Sequence, residues 1–395
     1  MFTWLNQVAQ VSWMNLKNIP QRLGTSLVIV VGIAGVVGVL TAMLSMGAGF
    51  RATLGKAGHE DRAIVMRSGA TSELSSGLDR AQADIIKNAP GVKRGADGKP
   101  IASAELLVIA DLPKAGTHTL ANAGVRGVQP EAFALRPEVK IIEGRNFVPG
   151  PREMIVGKQA ALQFANLKVG SRLAFRDSDW AVVGIFSANG DVNESELWAD
   201  AEVVQNAYRR NGFQSVSAQL EDKAAFTGFK DALTTDPRLQ VKAETMKEYF
   251  AAQSEGLGKL ISILGYTIGL IMAIGAIFGA LNTMYAAIST RSTEIATLRA
   301  IGFGASPVVV SVLIEGLLLA LLGGVIGAAV AYLIFNGYTA STLGGNFSQV
   351  AFDFRVTPAL MVQGLLLALA IGLVGGLLPA WRAARMSVTS ALRAA

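Results

Sequence analysis

The sequence has no cysteine and only two histidines, His59 and His118. The first absence excludes disulfide frameworks, cysteine-ligated zinc and thiol nucleophiles, and the second leaves too few imidazoles for a histidine-rich metal site. Charge is sparse as well: Asp, Glu, Lys and Arg make up 16% of the chain, against roughly 25% in ordinary soluble domains. The shortage is local. Leu23 to Phe50, Leu260 to Thr290 and Val356 to Trp381 contain none of the four, and Ala300 to Phe352 contains only Glu315. About 20 apolar residues cross a bilayer, so each stretch is long enough to span.

Catalytic signatures are missing too. There is no G-x-S-x-G elbow, and Gly95 to Lys99 has neither the spacing nor the following Ser or Thr of a Walker A loop. The mean hydropathy of +0.42 averages apolar spans with one long polar segment. The net charge of +6 is placed for topology rather than for nucleic acid. Lys17 and Arg22 precede the first span, Arg291 and Arg299 lie between the second and third, and Arg382, Arg385 and Arg393 follow the fourth. The positive-inside rule puts these segments in the cytoplasm, with both termini inside and the segment from Arg51 to Gly256 outside. The first apolar run begins late, is long and lacks a small-residue cleavage site, so it is expected to stay as a signal anchor.

The expected fold is an α-helical membrane protein with four transmembrane helices plus a large mixed α/β domain inserted between helices 1 and 2. The expected boundaries are an interfacial amphipathic helix at 1–22, spans at 23–50, 257–288, 305–337 and 357–381, and an exported domain at 51–256. A cytoplasmic helix follows at 289–304, a short outer loop at 338–356 and a cytoplasmic tail at 382–395. In the leading segment, Trp4, Leu5, Val8, Val11, Leu16 and Ile19 fall on one helical arc, which Ser12 and Asn15 interrupt. The pattern fits a helix lying on the inner leaflet with its tryptophan at headgroup depth, and Pro20 turns the chain into the first span.

In the exported segment, strand-like runs occur at Ala63–Met66, Glu105–Ala110, Gly124–Val128, Val139–Ile142, Glu153–Val156, Ser171–Phe175, Trp180–Phe186 and Ser215–Leu220. Helical patterns occur at Leu78–Asn88, Lys158–Phe164, Ala201–Arg210, Lys223–Thr234 and Glu244–Gln253. This is enough for one domain or two small lobes. Asp191, Glu194 and Glu196 cluster beside Asn189 and Gly190, but the spacing fits no EF-hand, and a solvated loop is the expectation. The domain reads as one that binds or transmits rather than catalyses.

In the second span Gly265, Gly269, Gly275 and Gly279 give two G-x-x-x-G spacings, which let helix backbones approach closely. Between the second and third spans, Arg291, Glu294 and Leu298 recur at helical spacing, as do Ile295 and Arg299. Gly302 and Gly304 end that helix, and Pro307 suits the first turn of the next. Glu315 is the one ionisable residue deep in a span, where a carboxylate is expensive and usually functional.

The pattern Arg291-x-x-Glu294-Ile295-Ala296-x-Leu298-Arg299-Ala300-Ile301-Gly302, the run Glu315 to Gly324, and Pro379-Ala380-Trp381-Arg382-Ala383-Ala384-Arg385 resemble the FtsX/MacB family of ABC transporter permeases. Val125 to Pro130, Glu143 to Phe147 and Val182 to Phe186 resemble the MacB-type periplasmic core domain. The resemblance implies a mechanotransmission permease of the bacterial inner membrane, with a large periplasmic domain and no catalytic residues of its own. Arg291, Glu294, Ile295, Leu298 and Arg299 would couple to a cytoplasmic ATPase, and Ile301 and Gly302 would join that helix to the third span. No cofactor is expected on this chain; ATP and magnesium would sit on an ATPase expected to be a separate polypeptide, because the chain starts about 22 residues before the first span. The implied partners are the ATPase, a second permease copy, and a periplasmic adaptor with an outer-membrane channel, all in the lipid bilayer and without nucleic acid. Glu315 is then read as an interhelical hydrogen-bonding residue rather than a proton carrier. Export of a periplasmic or outer-leaflet substrate is the leading function; FtsX-like regulation of a cell-wall hydrolase and lipoprotein release are the alternatives.

Overall fold

The computed structural model describes residues 2–17, 23–175 and 178–385. The helices in chain order are α1 (Phe2–Lys17), α2 (Leu23–Lys56), α3 (Arg80–Lys87), α4 (Ala132–Leu135), α5 (Lys158–Gln163), α6 (Ala201–Tyr208), α7 (Ala225–Thr235), α8 (Met246–Thr290), α9 (Ser292–Ala300), α10 (Ala305–Phe335) and α11 (Pro358–Arg385). The strands are β1 (Arg62–Arg67), β2 (Ala102–Pro113), β3 (Leu120–Val128), β4 (Lys140–Gly144), β5 (Glu153–Gly157), β6 (Arg172–Phe175), β7 (Ser178–Ser187), β8 (Glu196–Asp200), β9 (Ser215–Gln219), β10 (Val241–Thr245), β11 (Thr339–Leu343) and β12 (Gln349–Asp353). The chain divides into two units. One comprises Met1–Ala48, Lys259–Tyr338 and Phe354–Ala395, and the other Gly49–Gly258 and Thr339–Asp353.

In the first unit, α2, α8, α10 and α11 are each long and apolar enough to span a bilayer. Ile33, Val37, Val312, Leu319, Ala368 and Ile371 form part of its core. Leu333, Ile334, Ile263 and Ile271 stay exposed, the all-round apolar character of lipid-facing helices. Glycines set the close approaches. A side chain at Gly323 or Gly327 would run into the α2 backbone at Val30 or Ala34, and one at Gly372 would meet Ala320.

The second unit is built on a ten-stranded sheet in the order β10-β1-β9-β2-β3-β8-β5-β7-β4, with β6 on β7. Strands β3–β8 and β5–β7 pair in parallel, and the other pairs are antiparallel. Alternation along each strand separates two faces. Val65, Ala104, Val216 and Ala218 face one apolar cluster, and Leu106, Val125, Leu197 and Ala199 face another. The intervening residues Glu105, Arg126, Glu196, Ser215 and Ser217 fall on the opposite face and are buried there. The inserted unit is thus built on one continuous sheet, with several apolar clusters packed against it.

Three features differ from the sequence reading. The helix expected at Glu244–Gln253 and the span expected at 257–288 are one helix, α8, about 68 Å long at 1.5 Å per residue. Gly256 and Gly258 do not break it, since an interior glycine costs only about 1 kcal/mol; Gly258 also leaves room for Arg51, whose Nη1 would lie 3.1 Å from any Cβ there. The segment 338–356, expected as a short loop, forms the hairpin β11–β12, which groups with the inserted unit. Strands β8 and β10 carry acidic or alternating polar residues and were not expected.

Candidate coupling site and a second charged cluster

Helix α9 fills the bend between α8 and α10. Arg291 stands at its N-terminal boundary, and Gly302 follows it with φ 104°, a left-handed conformation that glycine adopts without a Cβ penalty. Ile295 and Ala296 are buried, whereas Thr293, Glu294, Thr297 and Ala300 are exposed and Ile301 is 69% exposed. Leu298 and Arg299 lie partly buried at the boundary, and Arg299 Nη1 donates to the Ala384 carbonyl at 2.9 Å, tying α9 to α11.

Arg291 does not point outward as the resemblance implied. It is 6% exposed, and its Nη1 donates to Glu315 Oε2 at 3.2 Å. Its Nη2 donates to Asn15 Oδ1, and its Nε reaches Glu294 Oε2 at 3.4 Å. Asn15 Nδ2 in turn donates to Ser311 Oγ at 3.3 Å. The reason is electrostatic: Glu315 is only 8% exposed, and a carboxylate in that position needs a fixed cation. Arg291 therefore serves as an internal bracket, leaving Glu294, Thr297 and Ile301 as the outward face of α9.

Sequence reasoning missed Asn15, although a signal was present. The two polar residues that interrupt the apolar arc of α1 lie on its buried face: Val8, Val11, Ser12 and Asn15 are all buried. The spacing 8, 11, 12, 15 is one helical stripe, and Asn15 is its polar end. Trp4 Nε1 donates to Ser306 Oγ at 3.0 Å, and Gly304 N donates to Gln7 Oε1 at 3.4 Å, so α1 brackets the start of α10. Trp13 is 63% exposed, with the Lys17 ammonium 5.5 Å from its ring centre. Ile19 and Pro20 lie outside the described residues.

The four glycines of the two G-x-x-x-G spacings in α8 divide into two pairs. Gly265 and Gly269 pack against Met43, Leu44 and Leu40 of α2. At Gly275 and Gly279 no described group approaches where a Cβ would stand, and both are exposed.

A second charged cluster fills the sheet face of the inserted unit. Arg126 on β3 donates to Glu196 (2.7 and 2.8 Å), Glu73 (2.7 and 2.9 Å) and Glu105 (2.9 Å). Arg136 pairs with both oxygens of Glu105, and its guanidinium carbon lies 5.4 Å from the Trp198 ring centre. Ser215 Oγ donates to Glu73 Oε1 at 2.7 Å and Trp198 Nε1 to Glu196 Oε2 at 2.9 Å. Burial pushes the Glu73 carboxyl up, but the Arg126 guanidinium and these hydrogen bonds outweigh it and hold the group below its ordinary value. Burial opposes the Arg126 charge, and Glu196 and Glu73 overcome it. Sequence reasoning missed this cluster, whose one visible sign was a glutamate at position 105 inside an apolar strand.

The acidic group at 191–196 is not the solvated loop expected. Asp191 and Glu194 are each 2% exposed and Glu196 is 6% exposed. Glu194 Oε1 accepts from Ser187 Oγ, Ala188 N and Gly190 N at 2.7–2.8 Å. Asp191 accepts from Asn193 N and Nδ2, and burial pushes its carboxyl up to about 7, with Glu138 and Glu194 adding to the shift. Among the described residues no group of His, Cys, Asp and Glu is arranged to hold a metal ion.

Comparison with known proteins agrees with this architecture. Residues 24–236 match the MacB-like periplasmic core domain, and residues 266–388 match the FtsX-like permease C-terminal domain. An uncharacterized ABC transporter permease, YknZ of Bacillus subtilis strain 168, is 26% identical over 207 residues, covering 50% of this chain and 49% of that protein. The macrolide export ATP-binding/permease protein MacB of Pectobacterium atrosepticum is 22% identical over 395 residues, covering 93% of this chain and 57% of that protein. The chain thus spans about half the length of these curated relatives. The crystal structure of the periplasmic region of MacB from Actinobacillus actinomycetemcomitans overlaps 48% of this chain and 90% of its own, at 13% identity and a TM-score of 0.37. With its core-domain match covering more than half of its residues and the permease match covering its C-terminal helices, the chain belongs to the FtsX/MacB-like family of ABC transporter permeases.

Proposed function

We propose that this chain converts ATP-driven movement of an ABC-type ATPase into displacement of its inserted domain. The carrying observation is the two-sided build of α9: Arg291 and Ile295 lock one face inward, while Glu294, Thr297 and, just past its end, Ile301 are exposed toward a partner. A helix held at both ends by membrane spans passes a push to both. The ATPase would bind on the cytoplasmic side, where Lys17, Arg299, Arg382 and Arg385 lie by the positive-inside rule. Both termini would then be cytoplasmic and the inserted domain periplasmic, in the inner membrane. No step of this role needs a catalytic side chain or a cofactor on this chain; ATP and magnesium belong to the ATPase.

A second copy of the permease would complete the membrane assembly, with the open Gly275 and Gly279 face of α8 available for close helix contact. The output is export of a periplasmic or outer-leaflet substrate, passed to a periplasmic adaptor and an outer-membrane channel. Mild-detergent affinity purification from the native membrane, followed by mass spectrometry, tests the reading. An ATPase recovered with an adaptor supports export. An ATPase with a cell-wall hydrolase or lipoproteins redirects the output to regulation or lipoprotein release, and the absence of any ATPase from intact preparations overturns the reading.

A further inference from the structure

The hairpin β11–β12 enters from α10 and leaves into α11, so these two membrane helices reach the inserted unit through residues 339–353. Within that unit the hairpin is held on several sides. Val350, Ala351 and Phe352 are buried. Ala351 N donates to Ser195 Oγ at 2.9 Å, Asn122 Nδ2 to the Phe347 carbonyl at 2.9 Å, and Gln163 Nε2 to Gln349 Oε1 at 3.2 Å. Phe352 meets Phe50 edge-on with ring centres 5.5 Å apart. Asn346 Nδ2 reaches Glu73 Oε2 at 3.4 Å, which links the hairpin tip to the Arg126 cluster. Phe347 is held at φ 54° by tip bonds from Gly344 N to Ser348 O and from Phe347 N to Gly344 O. A bulky residue keeps that backbone only where its surroundings over-determine it.

We propose that the hairpin is a rigid handle, which stays bound to β3 and the Arg126 cluster while α10 and α11 move. Displacement of those helices then reaches the centre of the inserted sheet through Asn122, Ser195 and Glu73. Peeling the hairpin away would uncover Val350 and Phe352, strip four hydrogen bonds and open one side of a buried charge network, each of them unfavourable. Asn122, Ser195 and Asn346 are positioning residues for this transmission, which rests on the ATP-driven reading above.

The absence of cysteine favours the test, because an introduced pair has no competing thiol within this chain. A Cβ at Gly124 would lie 3.4 Å from Ser348 Cβ, close to the 3.5–4.5 Å or so seen across disulfides. The full-length chain with Gly124→Cys and Ser348→Cys would be oxidised in native membranes without nucleotide and with a non-hydrolysable ATP analogue. The handle predicts bridge yields equal within about twofold in the two states, and ATP turnover of the bridged complex within about twofold of the reduced one. A fivefold fall in yield with the analogue, or turnover lost on oxidation and recovered on reduction, overturns it. If that pair fails to accumulate, Gln163→Cys with Gln349→Cys and a short bismaleimide gives the same two readings. Membranes in which the wild-type chain holds no ATPase overturn the proposed function; in those membranes the nucleotide-free bridge yield still reads the handle, and a yield below a tenth overturns it.

Discussion

Arg291 and Arg126 are both buried, yet they solve different problems. Arg291 sits among membrane helices with one buried carboxylate, Glu315, and a neutral amide, Asn15, while its third partner, Glu294, stays exposed. Arg126 sits in the inserted domain among three buried carboxylates, with Arg136 as the second cation. The first arrangement is a minimal bracket between three helices. The second is a network in which acid outnumbers base, held by five donor contacts from one guanidinium. A buried pair broken on one side costs about 3–5 kcal/mol, whereas its replacement by apolar residues can be neutral. The bracket can therefore be replaced as one pair, whereas the network would need its three acids and two cations replaced together.

Arg126→Met should have the largest effect, because it leaves Glu73 and Glu196 without their cation. A loss of about 5 kcal/mol or more should appear as a collapse of thermal stability of the full-length protein in detergent, followed by tryptophan fluorescence. Arg291→Met should lose about 3 kcal/mol because buried Glu315 loses its guanidinium, and the double variant Arg291→Met with Glu315→Met should recover most of it. If the double variant is as unstable as the single, the contrast between bracket and network is wrong.

Asp191 sharpens the comparison through pH. Its carboxyl keeps its proton up to about 7 when folded, against an ordinary value of 3.8. The folded chain binds the extra proton between these values, so stability falls as pH rises through that window. Asp191→Asn should flatten the fall and gain on the order of 2 kcal/mol at pH 8, with no gain at pH 4; thermal melts from pH 4 to 8 read it directly. Asn15→Ala should be milder, about 1 kcal/mol, and visible in the same melts. Glu294→Ala should change stability by less than about 0.5 kcal/mol while reducing ATPase coupling several-fold, measured as turnover of the reconstituted complex.

Much of the fold was written locally. The charge-poor runs mark α2, α8, α10 and α11, and alternation marks most strands of the inserted sheet. What escaped depended on loop closure, on distant partners or on weak local patterns. The burial of Asp191, Glu194 and Glu196 follows from the loop closing on its own backbone and from Arg126, which no local pattern connects to Glu196. The inward turn of Arg291 required Glu315 and Asn15, whose positions lie on two other helices. Asn15 looked like a flaw in an amphipathic stripe because only the bundle supplies its partners. Hairpin β11–β12 was hidden because its polar alternation over five residues per strand is weak beside the apolar runs on each side.

The central claim is that the outward face of α9 meets an ATPase while Arg291 faces inward. Photo-crosslinking residues placed singly at Glu294, Thr297 and Ala296, in the full-length protein in native membranes, test it most directly. The account predicts that Glu294 and Thr297 capture a polypeptide carrying a Walker A motif and that the buried Ala296 does not. Capture from Ala296, or no Walker A polypeptide from either exposed position in intact membranes, would contradict it.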